Sequence, residues 1–328
     1  MDELKPLISV VIPYHNSEAY IADCIESIVG QTYENIEIIA IDNLSTDGSR
    51  GIVEKMRSED SRIKIFDCDR AGLAEARNKG IEVYSGDYLF FLDSDDVIPE
   101  DSIEILYNAA EKNNADYVCG SYRTYGKSGP NTGRNHSLKP FVSDKKEEIH
   151  KYILTHGKSS NFAWGKLYGR NIFKGVSYPE GKMYEDIAVV PAIIENCNCL
   201  AALDDIVYDY CQHSDSLTHS CDVEKQMDGL NAWIKNAEFY KENYPSLLPY
   251  AYENEIEFSF FLMGRIRRDG LGINKDIWKR TVDRIKADRK EAAKTSFKMK
   301  AAMAIFAVSP RLAGSLFSNY SLIKNHTK

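Results

Sequence analysis

The sequence predicts an α/β fold: a mostly parallel sheet flanked by helices, with a helical C-terminal extension. Three observations carry this expectation. Continuous apolar, β-branched runs such as residues 7–12 and 36–41 suit strands buried on both faces. Stripes of helical period separate those runs, the alternation expected of parallel strands joined by crossover helices. From about residue 222 the only periodicity is helical.

The elements follow in order. Residues 7–12 (LISVVI) form the first strand, ended by Pro13. Ser17 is placed as an N-cap, and Tyr20, Ile21, Cys24, Ile25, Ile28 and Val29 fall on one helix face that Gly30 closes. Residues 36–41 (IEIIAI) are the second strand, followed by a polar turn at 45–48 and a stripe of Ile52, Val53 and Met56. Residues 63–66 make a short third strand, 71–84 a helix, and 87–92 (DYLFFL) the fourth strand. Pro99 is placed at a first helical position with Glu100 and Asp101 in an acidic first turn, and that helix runs to about Asn113. A fifth strand covers 116–122. Gly126, Gly129, Pro130, Gly133 and Pro140 mark a loop, and a helix is expected from about Ser143 to Leu154. Another helix near 185–195 and a strand near 200–211 precede the helical region. This divides the chain into 1–120, 121–220 and 221–328.

The chain has 328 residues, 41 basic and 49 acidic, with a net charge of −8 that argues against a dedicated nucleic-acid binder. The first apolar run is too short for a signal-peptide core, and Ala301–Val308 falls far short of the ~20 residues a membrane span needs. A cytoplasmic protein is expected. Seven scattered cysteines without a C-x-x-C pair fit that location, and Cys197 and Cys199 are read as packing residues.

In open parallel sheets, ligands bind outside the carboxyl ends of the strands. Strand one ends in Pro13-Tyr14-His15-Asn16, strand two in Asp42-Asn43-Leu44-Ser45-Thr46-Asp47-Gly48, and strand four in Asp93-Ser94-Asp95-Asp96. Three carboxylates in four residues repel one another unless a cation sits among them, and Mg²⁺ or Mn²⁺ prefers such oxygen ligands. The same residues also suit a helix N-cap before Pro99. No G-x-G-x-x-G or G-x-x-x-x-G-K-[ST] phosphate loop occurs. A bound nucleotide would therefore be held by strand-end side chains and a metal. His213, after the strand at 200–211, is a further candidate metal ligand.

The segments 8–48, 71–80 (AGLAEARNKG) and 86–97 (GDYLFFLDSDDV) resemble glycosyltransferase family 2, inverting enzymes of the GT-A fold found in bacterial polysaccharide synthesis. Trp164-Gly165-Lys166-Leu167-Tyr168 and Tyr184-Glu185-Asp186-Ile187 resemble the family's acceptor-side motifs. The resemblance implies transfer from a nucleotide-diphosphate sugar, a UDP-sugar, to a hydroxyl of a glycan or lipid-linked acceptor. The sugar would be hexosyl or N-acetylhexosaminyl, and Mn²⁺ or Mg²⁺ would assist. Matched by position, Pro13, Tyr14 and Asn16 line the nucleotide pocket, and Asp42 and Asn43 meet the base and ribose. Arg77 and Asn78 lie near the ribose and phosphates. Asp93-Ser94-Asp95 matches the D-x-D element, with Asp95 as direct metal ligand and Asp96 beside it. Asp186 matches the general base, and Trp164, Lys166 and Glu185 would contact the acceptor. The family usually has two aspartates where this chain has Asp42-Asn43; Asn43 can still hydrogen-bond a uracil edge, having both a donor and an acceptor.

Each motif also has a plainer reading: Glu185-Asp186 as an acidic helix start, Trp164 as core, Lys166 as a solvated side chain. A sugar nucleotidyltransferase would need a Gly-rich, Arg-containing loop after strand one, which is absent. A non-catalytic sugar-nucleotide module would not be expected to keep both Asp95 and Asp186. Finally, charge is uneven. Residues 279–328 hold twelve Lys or Arg against three acidic residues, a net +9 that leaves −17 on the first 278. Interleaved with apolar side chains, that tail suits an anionic membrane surface, at the inner face of the cell membrane, or a protein contact such as a homo-oligomer interface.

Overall fold

The computed structural model describes residues 5–125, 134–156, 161–211, 223–269 and 274–323. These form two compact units, one of residues 1–149, 158–181 and 192–214, the other of residues 150–157, 182–191 and 215–328.

The first unit is built on a sheet. Its strands are β1 (Ile8–Tyr14), β2 (Ile36–Asp42), β3 (Ile63–Asp67), β4 (Tyr88–Phe91), β5 (Tyr117–Tyr125), β6 (Arg134–His136), β7 (Phe141–Ser143), β8 (Lys166–Gly169) and β9 (Leu200–Cys211). The spatial order is β3-β2-β1-β4-β8-β5-β9-β7, with β6 on β5. β3, β2, β1 and β4 are mutually parallel, so their carboxyl ends share one edge. β8 runs antiparallel between β4 and β5. Every residue of β1 and β2 is buried, the polar Ser9 and Glu37 included. At about 1.5–3 kcal/mol for each large apolar side chain removed from water, these strands anchor the core.

Helices α1 (Ile21–Val29), α2 (Ser49–Glu59), α3 (Leu73–Val83) and α4 (Ser102–Asn113) connect the parallel strands. α1 turns Ile21, Cys24, Ile25 and Ile28 to the core, the face its sequence period indicated. α3 lies close on β1 because Gly80 has no side chain; a Cβ there would sit 2.4 Å from Val11 Cγ1.

Among the boundaries that differ from expectation, three have a local cause. Ser17 precedes α1 and accepts from the amides of Tyr20 and Ile21 through its carbonyl, forming a turn before the helix. α4 starts at Ser102, and Pro99 lies in the preceding turn, where its carbonyl accepts from Ser102 N. The segment around 134–143 contributes β6 and β7, so α5 (Lys146–His156) begins after Ser143. β6 is polar and β7 is three residues long, which left no apolar alternation to read. The rest of the expected 125–140 loop, residues 126–133, lies outside the described residues.

The second unit contains the start of α6 (Glu185–Asn196), then α7 (Val223–Asn243), α8 (Leu248–Asp269), α9 (Lys275–Ala292), α10 (Phe297–Val308) and α11 (Pro310–Ile323). Ile256, Phe260 and Met263 of α8 pack with Val282 and Ile285 of α9 and Met299, Met303 and Phe306 of α10. Ser296 caps α10 by accepting from Met299 N at 3.1 Å. No described helix is long and apolar enough to cross a membrane.

Candidate functional site

The parallel order brings the ends of β1, β2 and β4 together, and with them Pro13, Tyr14, Asn16, Asp42, Asn43, Asp93, Ser94, Asp95 and Asp96. Backbone conformation turns sharply there. Asn16 and Leu44 have φ of 50° and 59°, a region sparsely populated by non-glycine residues and common at ligand sites. The β1 and β2 loops are laced together: Asn16 Oδ1 accepts from Thr46 N at 2.8 Å, and Asn16 N donates to Ser45 Oγ at 3.2 Å. Asp42 accepts from Ser45 N at 2.9 Å and lies 3.5 Å from Arg50. Tyr14 is buried beside it, and desolvation, then the Asp42 charge, pushes its hydroxyl pKa up. His15 and Arg50, which the sequence did not single out, join this group; His15 Nδ1 lies 2.6 Å from Asn43 O.

Asn43 is buried with its side chain on Gly72: Nδ2 donates to Gly72 O at 2.7 Å, and Oδ1 accepts from Gly72 N at 2.8 Å. Asn78 repeats the arrangement on Tyr178, whose N and O it meets at 2.8 and 2.9 Å. Arg77, buried, donates to Asp93 at 3.0 Å and lies 5.7 Å from the centre of the Tyr178 ring.

The four residues after β4 divide by environment. Ser94 is buried and meets Ser17 through their hydroxyls at 2.7 Å. Asp93 and Asp95 are partly exposed, whereas Asp96 is fully buried. Asp96 accepts from Tyr208 Oη and Cys211 N, each at 2.7 Å. Val97 and Asp209 exchange backbone hydrogen bonds alongside, so the loop is zipped onto β9. Desolvation, then the charges of Asp95 and Asp93, pushes the Asp96 carboxyl well above its usual range. The same burial and the same three carboxylates raise the pKa of Cys24.

This donor set can be tested against a divalent cation. Mg²⁺ keeps water or phosphate oxygens and takes one or two carboxylates. Asp95 with Asp93 fits that need at the mouth of the strand edge. Asp96 is less suited, because it is fully buried with its oxygens turned to Tyr208 Oη and Cys211 N, and burial disfavours its charged form. Among the described residues no group of three or more His, Cys, Asp or Glu side chains is arranged to hold a metal by itself. His213 lies outside the described residues.

Trp164 and Lys166 are interior. Trp164 stacks on Tyr208 at 4.2 Å between ring centres, and Lys166, 1% exposed, donates to Phe162 O and, at 3.1 Å, to Trp164 O. Lys166 is thus a buried brace and not a solvated side chain. Tyr208 joins these layers, linking Trp164 to Asp96. Its only sequence signal was its place on a strand.

Glu185 and Asp186 open α6 in the second unit. Tyr184 before them has φ 58°, which breaks the chain direction at the helix start. Glu185 is buried, Asp186 half-buried, and Ile187 N donates to Asp186 Oδ1 at 2.8 Å.

A mostly parallel sheet with polar strand ends gathered at one edge, flanked by helices, is the GT-A architecture of glycosyltransferases. The chain belongs to glycosyltransferase family 2, whose model, Glycosyl transferase family 2, matches residues 9–176. It is 32% identical over 224 residues to the glycosyltransferase GlyG of Streptococcus pneumoniae serotype 4, covering 65% of this chain and 73% of that protein. Among solved structures it resembles S. aureus TarS 1–349 in complex with UDP-GlcNAc, with a TM-score of 0.69 at 19% identity, covering 98% of this chain and 92% of that one. The mannosyltransferase PcManGT of Pyrobaculum calidifontis, in complex with GDP-Man and Mn²⁺, has a TM-score of 0.56 at 13% identity, covering 99% and 88%. At these identities the structural likenesses establish the fold.

Proposed function

We propose that this glycosyltransferase moves a hexosyl or N-acetylhexosaminyl group from a UDP-sugar to a hydroxyl of a glycan or lipid-linked acceptor, with inversion, in cell-surface polysaccharide synthesis. The observation that carries this reading is the carboxylate pair at the end of β4: Asp93 held by Arg77, and Asp95 partly exposed two residues on. The TarS complex with UDP-GlcNAc supports a UDP-sugar donor. The PcManGT complex supports a nucleotide-sugar site that uses Mn²⁺.

In this reading residues 1–120 bind the nucleotide sugar, 121–220 the acceptor, and 221–328 form the helical extension. Pro13, Tyr14, Asn16 and Asp42 face the nucleoside. Asp95 and Asp93 would hold Mn²⁺ or Mg²⁺, which when bound neutralises charge on the departing diphosphate. Arg77 fixes the Asp93 carboxylate. Asp186 takes the acceptor proton, and the acceptor oxygen bonds to the anomeric carbon as the carbon–oxygen bond to the diphosphate breaks. The bonding pair leaves with the nucleoside diphosphate. One base on the face opposite the leaving group gives a single displacement and hence inversion. Glu185 borders the acceptor, and Trp164 and Lys166, both buried, serve it indirectly by stiffening the segment that carries them.

The test is release of nucleoside diphosphate from a panel of UDP- and GDP-sugars with a lipid-linked acceptor, for the wild type, Asp95→Asn and Asp186→Asn. General-base loss costs about 10²–10⁴-fold in turnover. Turnover unchanged in Asp186→Asn would remove the assigned base; transfer from GDP-sugars alone would remove the uridine assignment.

A further inference from the structure

We propose that the outward face of α10 and α11 is a docking surface for an anionic lipid bilayer. α10 buries Met299, Ala302, Met303 and Phe306 on the core of the helical unit. Its opposite face leaves large apolar side chains in solvent: Phe297 is 87% and Val308 86% exposed, and on α11 Leu312 and Leu316 are 49% and 51% exposed. Lys300 and Ala304 are exposed between Phe297 and Val308, at the three- and four-residue steps that put side chains on one face of α10; Leu312 and Leu316 are one such step apart on α11, and Arg311 is exposed next to Leu312. The result is an apolar stripe studded with positive charge. It is narrower than composition alone suggests, because Met299, Ala302, Met303 and Phe306 point inward.

Charge selects the occupant. Residues 292–328 contain no Asp or Glu. Lys294 and Lys298 are paired with Glu291 and Glu257, which leaves Lys300 and Arg311 as the charges on the stripe. A second copy docking through this face about a two-fold axis would set positive charge against positive charge. An anionic bilayer meets both features at once, since apolar side chains enter the acyl boundary while Lys and Arg stay among the headgroups. The inference does not depend on which sugar or acceptor the enzyme uses.

The experiment uses the full chain and vesicles of phosphatidylcholine with or without phosphatidylglycerol, read by co-sedimentation. Binding to the anionic vesicles alone, weakened by salt, is expected. Combining Phe297→Ser, Val308→Ser, Leu312→Ser and Leu316→Ser should weaken that binding at least about tenfold, as should Lys300→Glu with Arg311→Glu. These positions are exposed, so circular dichroism should show unchanged folding. Equal binding to both vesicle types, or retention of binding by the serine variant, overturns the proposal. So does a wild-type dimer that the serine variant splits while vesicle binding stays the same.

Discussion

Asn78 and Tyr178 are 100 residues apart, and the side-chain amide of one closes a two-bond ring with the backbone of the other. The neighbouring Arg77 lies near the Tyr178 ring while donating to Asp93. Helix α3 thus ties the segment at 178 to the carboxylates after β4. Asn78→Ala should destabilise the protein by about 1–3 kcal/mol, because it strands two buried backbone groups. Thermal denaturation checks this. If donor binding weakens while the melting temperature holds, Asn78 serves the nucleotide and not the backbone.

Asn43 fixes Gly72 in the same way. Gly72 has φ 146°, a conformation that suits glycine, and it is the residue before α3. Asn43→Asp would restore the acidic pair usual in the family, yet a carboxylate cannot donate to Gly72 O. It should cost about 1–3 kcal/mol of stability. A melting temperature equal to or above the wild type would show that the donated bond contributes nothing.

These two asparagines mark where the sequence stopped being informative. The strands of the nucleotide half were legible because β1 and β2 are buried on both faces and therefore carry no alternation to misread. The strand ends were legible because a parallel sheet collects them at one edge. What Asn43, Asn78 and Asp96 touch was not legible, since their partners Gly72, Tyr178 and Tyr208 arrive from 29, 100 and 112 residues away. A resemblance assigns such residues to a ligand by position; only the fold shows which polar groups are already satisfied by backbone. Lys166 makes the same point, because a lysine on a four-residue strand gives no sign that carbonyls will enclose its ammonium.

Glu37, on β2, is a buried carboxylate that the fold holds ionised. Burial alone would raise its pKa, but hydrogen bonds from Lys64, Ser9 and Ser85 outweigh this and hold it at about 2. A depressed carboxylate contributes stability above its unfolded pKa and loses it as pH falls through the folded value. The contribution, about 3 kcal/mol, should therefore fade between about pH 4.5 and pH 2. Glu37→Gln should lose it at neutral pH and show a flatter acid limb in urea titrations at stepped pH. Parallel limbs would contradict the assignment.

Glu255, on α8, titrates in the opposite sense. It is fully buried against Arg284 of α9, which also lies 3.1 Å from Asp288. Desolvation, reinforced by the Asp288 charge and only partly offset by Arg284, pushes Glu255 up to about 7. The fold therefore favours its protonated form, and that stabilisation is present below about pH 4.5 and lost as pH rises through 7. Burial sets the direction, and Asp288 adds to it by sharing the one guanidinium. Glu255→Gln keeps the shape of the neutral acid without its titration. Relative to the wild type, the variant should gain stability as pH rises from 4 to 8, by about 1.4 kcal/mol for each pH unit inside the window. Denaturant midpoints for the two proteins across that range measure the gap. A gap that stays constant would mean that Arg284 keeps Glu255 ionised throughout.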